Sequence, residues 1–448
     1  MNNIQHHASV ATFWAYIQNW VSRGLTLVVF IVLARLLSPT DFGVFAIAIV
    51  LLTLAEIFAE QGLSHAIVQR AELDDAHRNT AFWVTLLLGG ILGLLTLAVS
   101  HPLAAYFNHP EIAPIMNALS PVFVLMALAS VPAALLRREL NYKILAQRAI
   151  WANIVAGITA IGLALSGAGV WAFVGQLLVY HGISVIILWK NEAWRPRRMV
   201  SWHHFTDLFL FSSKVIAGKL LDFIETRVFD LIVGYSLGVR DLGQYSLANR
   251  AQQALSQLVV VPVWDSHGSV LARLSTQLHE RKKAFLRAVT FVSLVPVPIF
   301  LMVAAAAPVL IPTVFGRQWV SSISAFQILA VLGAIRSLVF LNGVFLQAAG
   351  FAGRSVAITL IRVGVGLLAL FFLLPYGITG VAGALLVGQL VAVPLSFSLT
   401  KRFLDVDFQE TSKMMLKPLL ASLFAVVSAV VVIDGLKDTL PSWAVLLC

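Results

Sequence analysis

Residues 33–48 read LARLLSPTDFGVFAIA, and residues 233–248 read VGYSLGVRDLGQYSLA. Leu37, Asp41, Gly43 and Ala48 recur as Leu237, Asp241, Gly243 and Ala248, while Tyr245 answers Phe45 and Leu247 answers Ile47. Asp suits such a turn because it can cap a helix, and Gly because it relieves backbone strain. A convenient helix–helix turn explains either copy alone. Its return after 200 positions points to a chain built in two halves.

The 448 residues are 59% hydrophobic and 12% charged, with mean hydropathy +0.89. A soluble domain carries about 25% charged residues. This chain has too little polar surface to cover itself in water, and it reads as an integral membrane protein. The single cysteine, Cys448, leaves no disulfide framework and no thiolate metal site. Residues 1–10 hold no Lys or Arg, and the apolar stretch that follows is too long for a cleaved signal.

About 20 mostly apolar residues cross the hydrocarbon. Such runs lie near 12–36, 44–68, 81–107, 115–136, 144–166 and 167–189, then 207–235, 244–270, 285–315, 324–347, 355–375, 377–399 and 417–436. The expected fold is therefore all-α and polytopic, with two six-helix lobes in parallel repeat and a thirteenth span. The expected boundaries are 1–189 for the first lobe, 190–206 for a cytoplasmic basic linker, 207–400 for the second lobe, and 401–448 for the remainder. The terminal PSWAVLLC is too short to cross.

The net charge of +10 could suggest nucleic acid, but its placement argues otherwise. Arg70, Arg78, Arg137, Arg138, Lys143, Lys190, Arg195, Arg197, Arg198, Arg281, Lys282, Lys283, Arg354, Lys401 and Arg402 fall on even-to-odd connections; the opposite loops hold Arg35, Arg240, Arg317 and Lys437. The positive-inside rule then puts the N-terminus and the basic loops in the cytoplasm. Most of the charge is topological, and no nucleic-acid partner is expected.

ARLLSPTDFGVFAIA, EIFAEQGLSHAIVQR at 56–70, FGRQWVSSISAFQILAVLG at 315–333 and LQAAGFAGRS at 346–355 resemble the polysaccharide transporter family of Wzx-type oligosaccharide flippases, in its colanic-acid-exporter branch. That family shares a superfamily with multidrug and toxin extrusion transporters and the lipid II flippase. Relatives commonly have a fourteenth span, reduced here to PSWAVLLC. The resemblance implies a polyprenyl-pyrophosphate-linked oligosaccharide moved from the cytoplasmic to the periplasmic leaflet of the bacterial inner membrane by alternating access. It also implies a role in surface polysaccharide biosynthesis, beside a polymerase and chain-length machinery.

Independently of any family, Arg23, Lys214, Lys219, Arg227, Arg250, Arg336 and Arg362 lie inside proposed spans. Each costs about 2.5–3.5 kcal/mol at a helix centre. Such groups face an acid or a water-filled cavity. Candidate acids are Glu56, Glu60, Asp222, Glu225, Asp230 and Asp265. Arg23, Arg227, Arg336, Arg362 and Lys219 are the candidate substrate contacts, since a guanidinium matches pyrophosphate oxygens bidentately. Lys219 and Asp222, three apart, also suit a structural pair. Glu56 and Glu60 are one turn apart with Ser64 on the same face, and could hold a coupling proton or Na⁺. Neutralisation by Arg23 is the alternative.

No catalytic residue, metal site or cofactor is expected. Asp405-Val-Asp407 matches a glycosyltransferase motif but lies in a short loop. His6-His7 and His203-His204 are adjacent pairs without helical metal spacing, and an aromatic belt accounts for most of the tryptophans. The competing functions are a multidrug or other small-substrate exporter, disfavoured by the buried cations, and a membrane glycosyltransferase or ligase. Such enzymes need a sizeable extramembrane loop, which these short connections do not provide.

Overall fold

The computed structural model describes residues 2–61, 63–70, 73–261, 278–348, 352–404, 406 and 408–436. The side chains of Glu60, Lys214 and Asp222 lie outside that description, as do those of His6 and His7. Residues Asp265, Asp405, Asp407 and the terminal PSWAVLLC lie outside it altogether.

The first part of the chain forms α1 (Asn2–Leu36), α2 (Pro39–Gln61), α3 (Leu63–Gln69), α4 (Asp75–Tyr106), α5 (Ile112–Arg138), α6 (Tyr142–Leu165), α7 (Trp171–Asn191) and α8 (Trp202–Ser236). Next come α9 (Val239–Val259), α10 (Leu278–Leu294), α11 (Pro296–Val314), a 3₁₀ turn at Arg317–Ser322, and α12 (Ile323–Ala348). The described chain closes with α13 (Ala352–Leu373), α14 (Gly377–Leu404) and α15 (Phe408–Leu436). Among the described residues, nine helical stretches are long and apolar enough to cross a membrane, with Gly353–Lys401 running as one of them. The chain is a multi-pass, all-α membrane protein. Helix α8 covers the expected seventh span but holds Lys219, Glu225, Arg227 and Asp230, too many charges to join those nine.

Among the described residues, the expected span 285–315 is interrupted: it breaks at Val295, before Pro296. Proline has no N–H to continue the helical ladder but fits the first turn of a new helix.

The chain divides into two compact units, Met1–Arg240 and Asp241–Cys448. This differs from the boundary read from the sequence, because α8 packs on α2, α3 and α4 of the first unit. In that unit α5 is the central post, contacting α2, α3, α4 and α7, with Ile115, Met116, Leu119, Val122, Phe123 and Val131 fully buried. Lipid is as apolar as leucine, so helices in a membrane associate through close packing rather than hydrophobic exclusion. Gly89 and Gly93, four apart on α4, provide that closeness. A Cβ on them would lie 2.8 Å from the Phe123 carbonyl oxygen and 3.1 Å from that of Ser120. In the second unit α14 packs on α13 and α12, and α11 on α12 and α15. One of its cores gathers Val297, Phe300, Ala304, Ala330 and Ala334.

At the repeated turn, Ser38 donates to Asp41 Oδ2 through its N–H at 2.9 Å and its hydroxyl at 2.6 Å. The Asp41 N–H donates back to Ser38 Oγ at 3.2 Å. Asp41 Oδ1 also accepts the Val170 N–H at 3.0 Å, tying this turn to the start of α7. The capping role of Asp is as expected; the role of Gly43 is not. Gly43 lies within α2, where a Cβ would overlap the Val239 carbonyl, so close approach demands it. The unusual backbone falls instead to Gly238, φ +92°, at the position matching Ser38.

The basic stretch after α7 is docked rather than loose. The Arg197 N–H donates to Asn79 Oδ1 at 2.7 Å, and Trp83 Nε1 donates to the Arg197 carbonyl at 2.8 Å. The Ser201 N–H donates to Thr80 Oγ1 at 3.1 Å. Arg195 donates to the Trp189 carbonyl at 3.0 Å, and its guanidinium sits 5.4 Å from the Trp189 ring centre. Arg138 likewise donates to the Ile67 carbonyl at 2.9 Å and to that of Arg70, closing the end of α3. Arg195 and Arg138 therefore cap helices as well as carry positive charge.

Candidate functional site

Within the first unit, α2 and α8 meet at a charged site. Thr53 lies eight residues before Gln61, about 12 Å along α2 from its end at 1.5 Å per residue. Opposite it on α8, Arg227 Nη1 donates to Asp230 Oδ2 at 3.0 Å, and Nη2 donates to Thr53 Oγ1 at 3.0 Å. The Thr53 hydroxyl donates in turn to the Ile49 carbonyl at 3.0 Å, leaving a lone pair for the guanidinium. Asp230 is 4% exposed. A carboxylate so enclosed needs a cation, and the i,i+3 spacing on one helix supplies it. The sequence placed Arg227 beside the acidic stripe and free to reach substrate. Two of its nitrogens are engaged within the protein, and nothing in its helix pointed to Thr53, 174 residues earlier.

The other predicted residues are distributed over both units. Glu56, one turn beyond Thr53 on α2, is exposed, and Lys219 is exposed on α8. Ser64, on α3, shares a hydrogen bond with Ser130 of α5. Arg23 is half-buried on α1, about 10 Å along the helix from Tyr16, where its apolar span begins. One turn on, Thr26 reaches Asn153 of α6 at 3.5 Å. In the second unit Arg336 is half-buried on α12, and Arg362 of α13 donates to the fully buried Gln389 of α14 at 3.4 Å. Helix-facing polar partners such as Thr53, Asn153 and Gln389 carry no distinct sequence signal, because an isolated polar residue in an apolar run has no visible address.

A second constellation lies at the other end of α8. Asp74 caps α4, accepting the His77 N–H at 2.8 Å, and the same Oδ1 is 2.6 Å from His77 Nδ1. His204 Nε2, from the first turn of α8, is 3.4 Å from Asp74 Oδ2. The His77 and His204 rings meet edge to face with centres 4.3 Å apart. His77 is buried while Asp74 is largely exposed. The His77 backbone N–H holds the Asp74 carboxyl down, to about 2 from an ordinary 3.8; partial desolvation opposes this, while the charges of both histidines assist. Sequence reasoning set His203-His204 aside because it examined helical spacing alone. Its partners His77 and Asp74 lie 127 and 130 positions earlier.

Comparison with known proteins places these observations in a family. Residues 32–324 match a family profile described as "Polysaccharide biosynthesis protein". The chain is 27% identical over 328 residues to "Succinoglycan biosynthesis transport protein ExoT" of Rhizobium meliloti (strain 1021), covering 71% of this chain and 64% of that protein. It is 24% identical over 336 residues to "Lipopolysaccharide biosynthesis protein WzxC" of Escherichia coli (strain K12), covering 72% and 66% respectively. The chain thus spans under two thirds of those two relatives. Among solved structures, "Lipid II flippase MurJ, inward closed conformation" is similar with TM-score 0.79 at 16% identity, covering 98% of this chain and 94% of that one. An inward-facing multidrug resistance MATE family transporter is similar with TM-score 0.67 at 17% identity, covering 87% and 98%. At such identities the structural likeness concerns the fold.

Proposed function

The chain belongs to the polysaccharide biosynthesis protein family, and we propose that it is a flippase for lipid-linked oligosaccharides. Its cargo is an oligosaccharide joined through pyrophosphate to a polyprenol. The cargo moves from the cytoplasmic to the periplasmic leaflet by alternating access, for assembly of a surface polysaccharide. A polymerase and chain-length machinery act downstream, and the N-terminus and docked basic stretch face the cytoplasm. No bond is made or broken, so the protein is a transporter and not an enzyme. The observation that carries this reading is the family match over 32–324, in a chain that keeps guanidiniums on membrane-embedded helices.

Arginines suit the cargo because pyrophosphate offers several charged oxygens to a planar fork. Arg23 is the principal contact in the first unit, with Lys219 as a second, more exposed candidate. Arg336 and Arg362 are the candidates in the second. Arg227 holds α8 to α2 through Asp230 and Thr53, and Glu56 and Glu60 balance charge or carry a coupling ion.

Deletion of the gene in a strain lacking any other flippase should abolish the surface polysaccharide and trap the lipid-linked unit in the cytoplasmic leaflet. Normal polysaccharide in that strain would overturn the flippase reading. Arg23→Ala should lower transport at normal expression, and Arg23→Lys should be partly defective because it keeps charge but loses the fork. If adding Glu56→Gln to Arg23→Ala restored transport, Arg23 would be a charge partner and not a cargo contact.

A further inference from the structure

We propose that Asp74, His77 and His204 bind one divalent metal ion of the zinc class, stapling the first turn of α4 to the first turn of α8. One donor atom from each residue lies within 4.8 Å of the other two. In a tetrahedral site with metal–nitrogen bonds of about 2.0 Å, donors stand about 3.3 Å apart. Present separations are 2.6 Å from His77 Nδ1 to Asp74 Oδ1 and 3.4 Å from His204 Nε2 to Asp74 Oδ2, so the two histidines approach opposite oxygens of one carboxylate and side-chain rotation brings one oxygen to both. The donors are Nδ1 of His77 and Nε2 of His204, the two nitrogens that face the carboxylate. Two imidazoles and a carboxylate suit zinc and its neighbours rather than calcium or magnesium, which prefer all-oxygen shells. Three protein ligands leave a fourth position for water.

The surroundings are those of a built site. His204 Nδ1 is 2.7 Å from Ser201 Oγ, and a proton donated there leaves Nε2 as the lone-pair nitrogen. Ser201 is itself fixed, since its N–H donates to the fully buried Thr80. Asp74 is oriented by capping α4, and His77 is itself buried in the first turn of the same helix. His77 is tied through its backbone N–H to Asp74, and His204 through its ring to the Ser201 hydroxyl. Binding replaces the proton between His77 Nδ1 and Asp74 with the metal and releases that proton to solvent.

The test uses the full chain in detergent, purified through a tag without histidines, stripped with a chelator and titrated with Co²⁺ and then Zn²⁺. One ion per chain should bind, with the intense visible absorption of four-coordinate Co²⁺. His204→Ala should weaken binding at least ~10-fold, and Ser201→Ala by ~10-fold, the range seen for outer partners of metal ligands. Asp74→Asn preserves the helix cap and should still weaken binding by ~10-fold or more. The exposed neighbour variant His203→Ala should bind like wild type. Absence of stoichiometric uptake would overturn the proposal. So would uptake unchanged by both His204→Ala and Asp74→Asn, or weakened equally by His203→Ala. Circular dichroism and gel filtration exclude misfolding; should His204→Ala misfold, Asp74→Asn and Ser201→Ala decide the matter.

Discussion

The stretch leading into α8 and the Arg227–Asp230 turn within it both fasten that helix inside the first unit, by different physics. At its start, the stretch leading into α8 is fastened by several neutral bonds to α4, from Asn79, Thr80 and Trp83, beside edge-to-face contacts of Phe82 with Trp189 and Trp194. Midway, one ion pair and one hydroxyl hold it to α2. A neutral net distributes its contribution, so that losing one bond costs a modest amount. A buried pair concentrates it, because removing either charge strands the other in low dielectric. The mid-helix anchor should therefore be brittle and the linker anchor tolerant.

The largest expected effect is at the pair. Asp230→Ala should destabilise the protein by about 3–5 kcal/mol, read as a fall in thermal midpoint and in folded yield from membranes. The double variant Arg227→Met/Asp230→Leu removes both charges, and should recover most of that loss. A double variant as unstable as the single would mean that the two residues do not act as a pair. Thr53→Val keeps the shape but deletes the acceptor for Arg227, and should cost about 1–2 kcal/mol in the same measurement. The smallest effect belongs to the linker: Trp83→Phe removes the bond to the Arg197 carbonyl, with part of a half-buried ring, and should cost about 0.5–1.5 kcal/mol. If Trp83→Phe proved as damaging as Asp230→Ala, the contrast between the two anchors would collapse.

Legibility in the sequence followed the range of the interaction. Arg227 and Asp230 stand three apart, so their proximity is a property of the helix period alone. The reading nonetheless set Arg227 to one side of the stripe, because 100° geometry treats side chains as points and overlooks the reach of arginine. The cap of Asp41 was visible for the same local reason. Thr53 and the meeting of His204 with Asp74 and His77 were not visible, since no periodicity links positions over a hundred residues apart. The glycine at 43 was recognised as a turn residue but given the wrong reason, because a backbone approach by Val239 leaves no trace in the local sequence.

By itself the sequence determined that this chain lives in a membrane, is built from helices and repeats its opening turn. Hydropathy, span length and charge placement are sums over neighbours, and neighbours are fixed by the chain. It also marked the cations that fall within long apolar stretches. Tertiary structure alone decided that α8, the expected opening helix of the second half, packs with the first unit. It likewise decided which charges are neutralised and where two histidines and an aspartate converge. Partner choice between helices that are all apolar rests on small residues, side-chain reach and polar matching across distant segments, and those exist only once the helices have met.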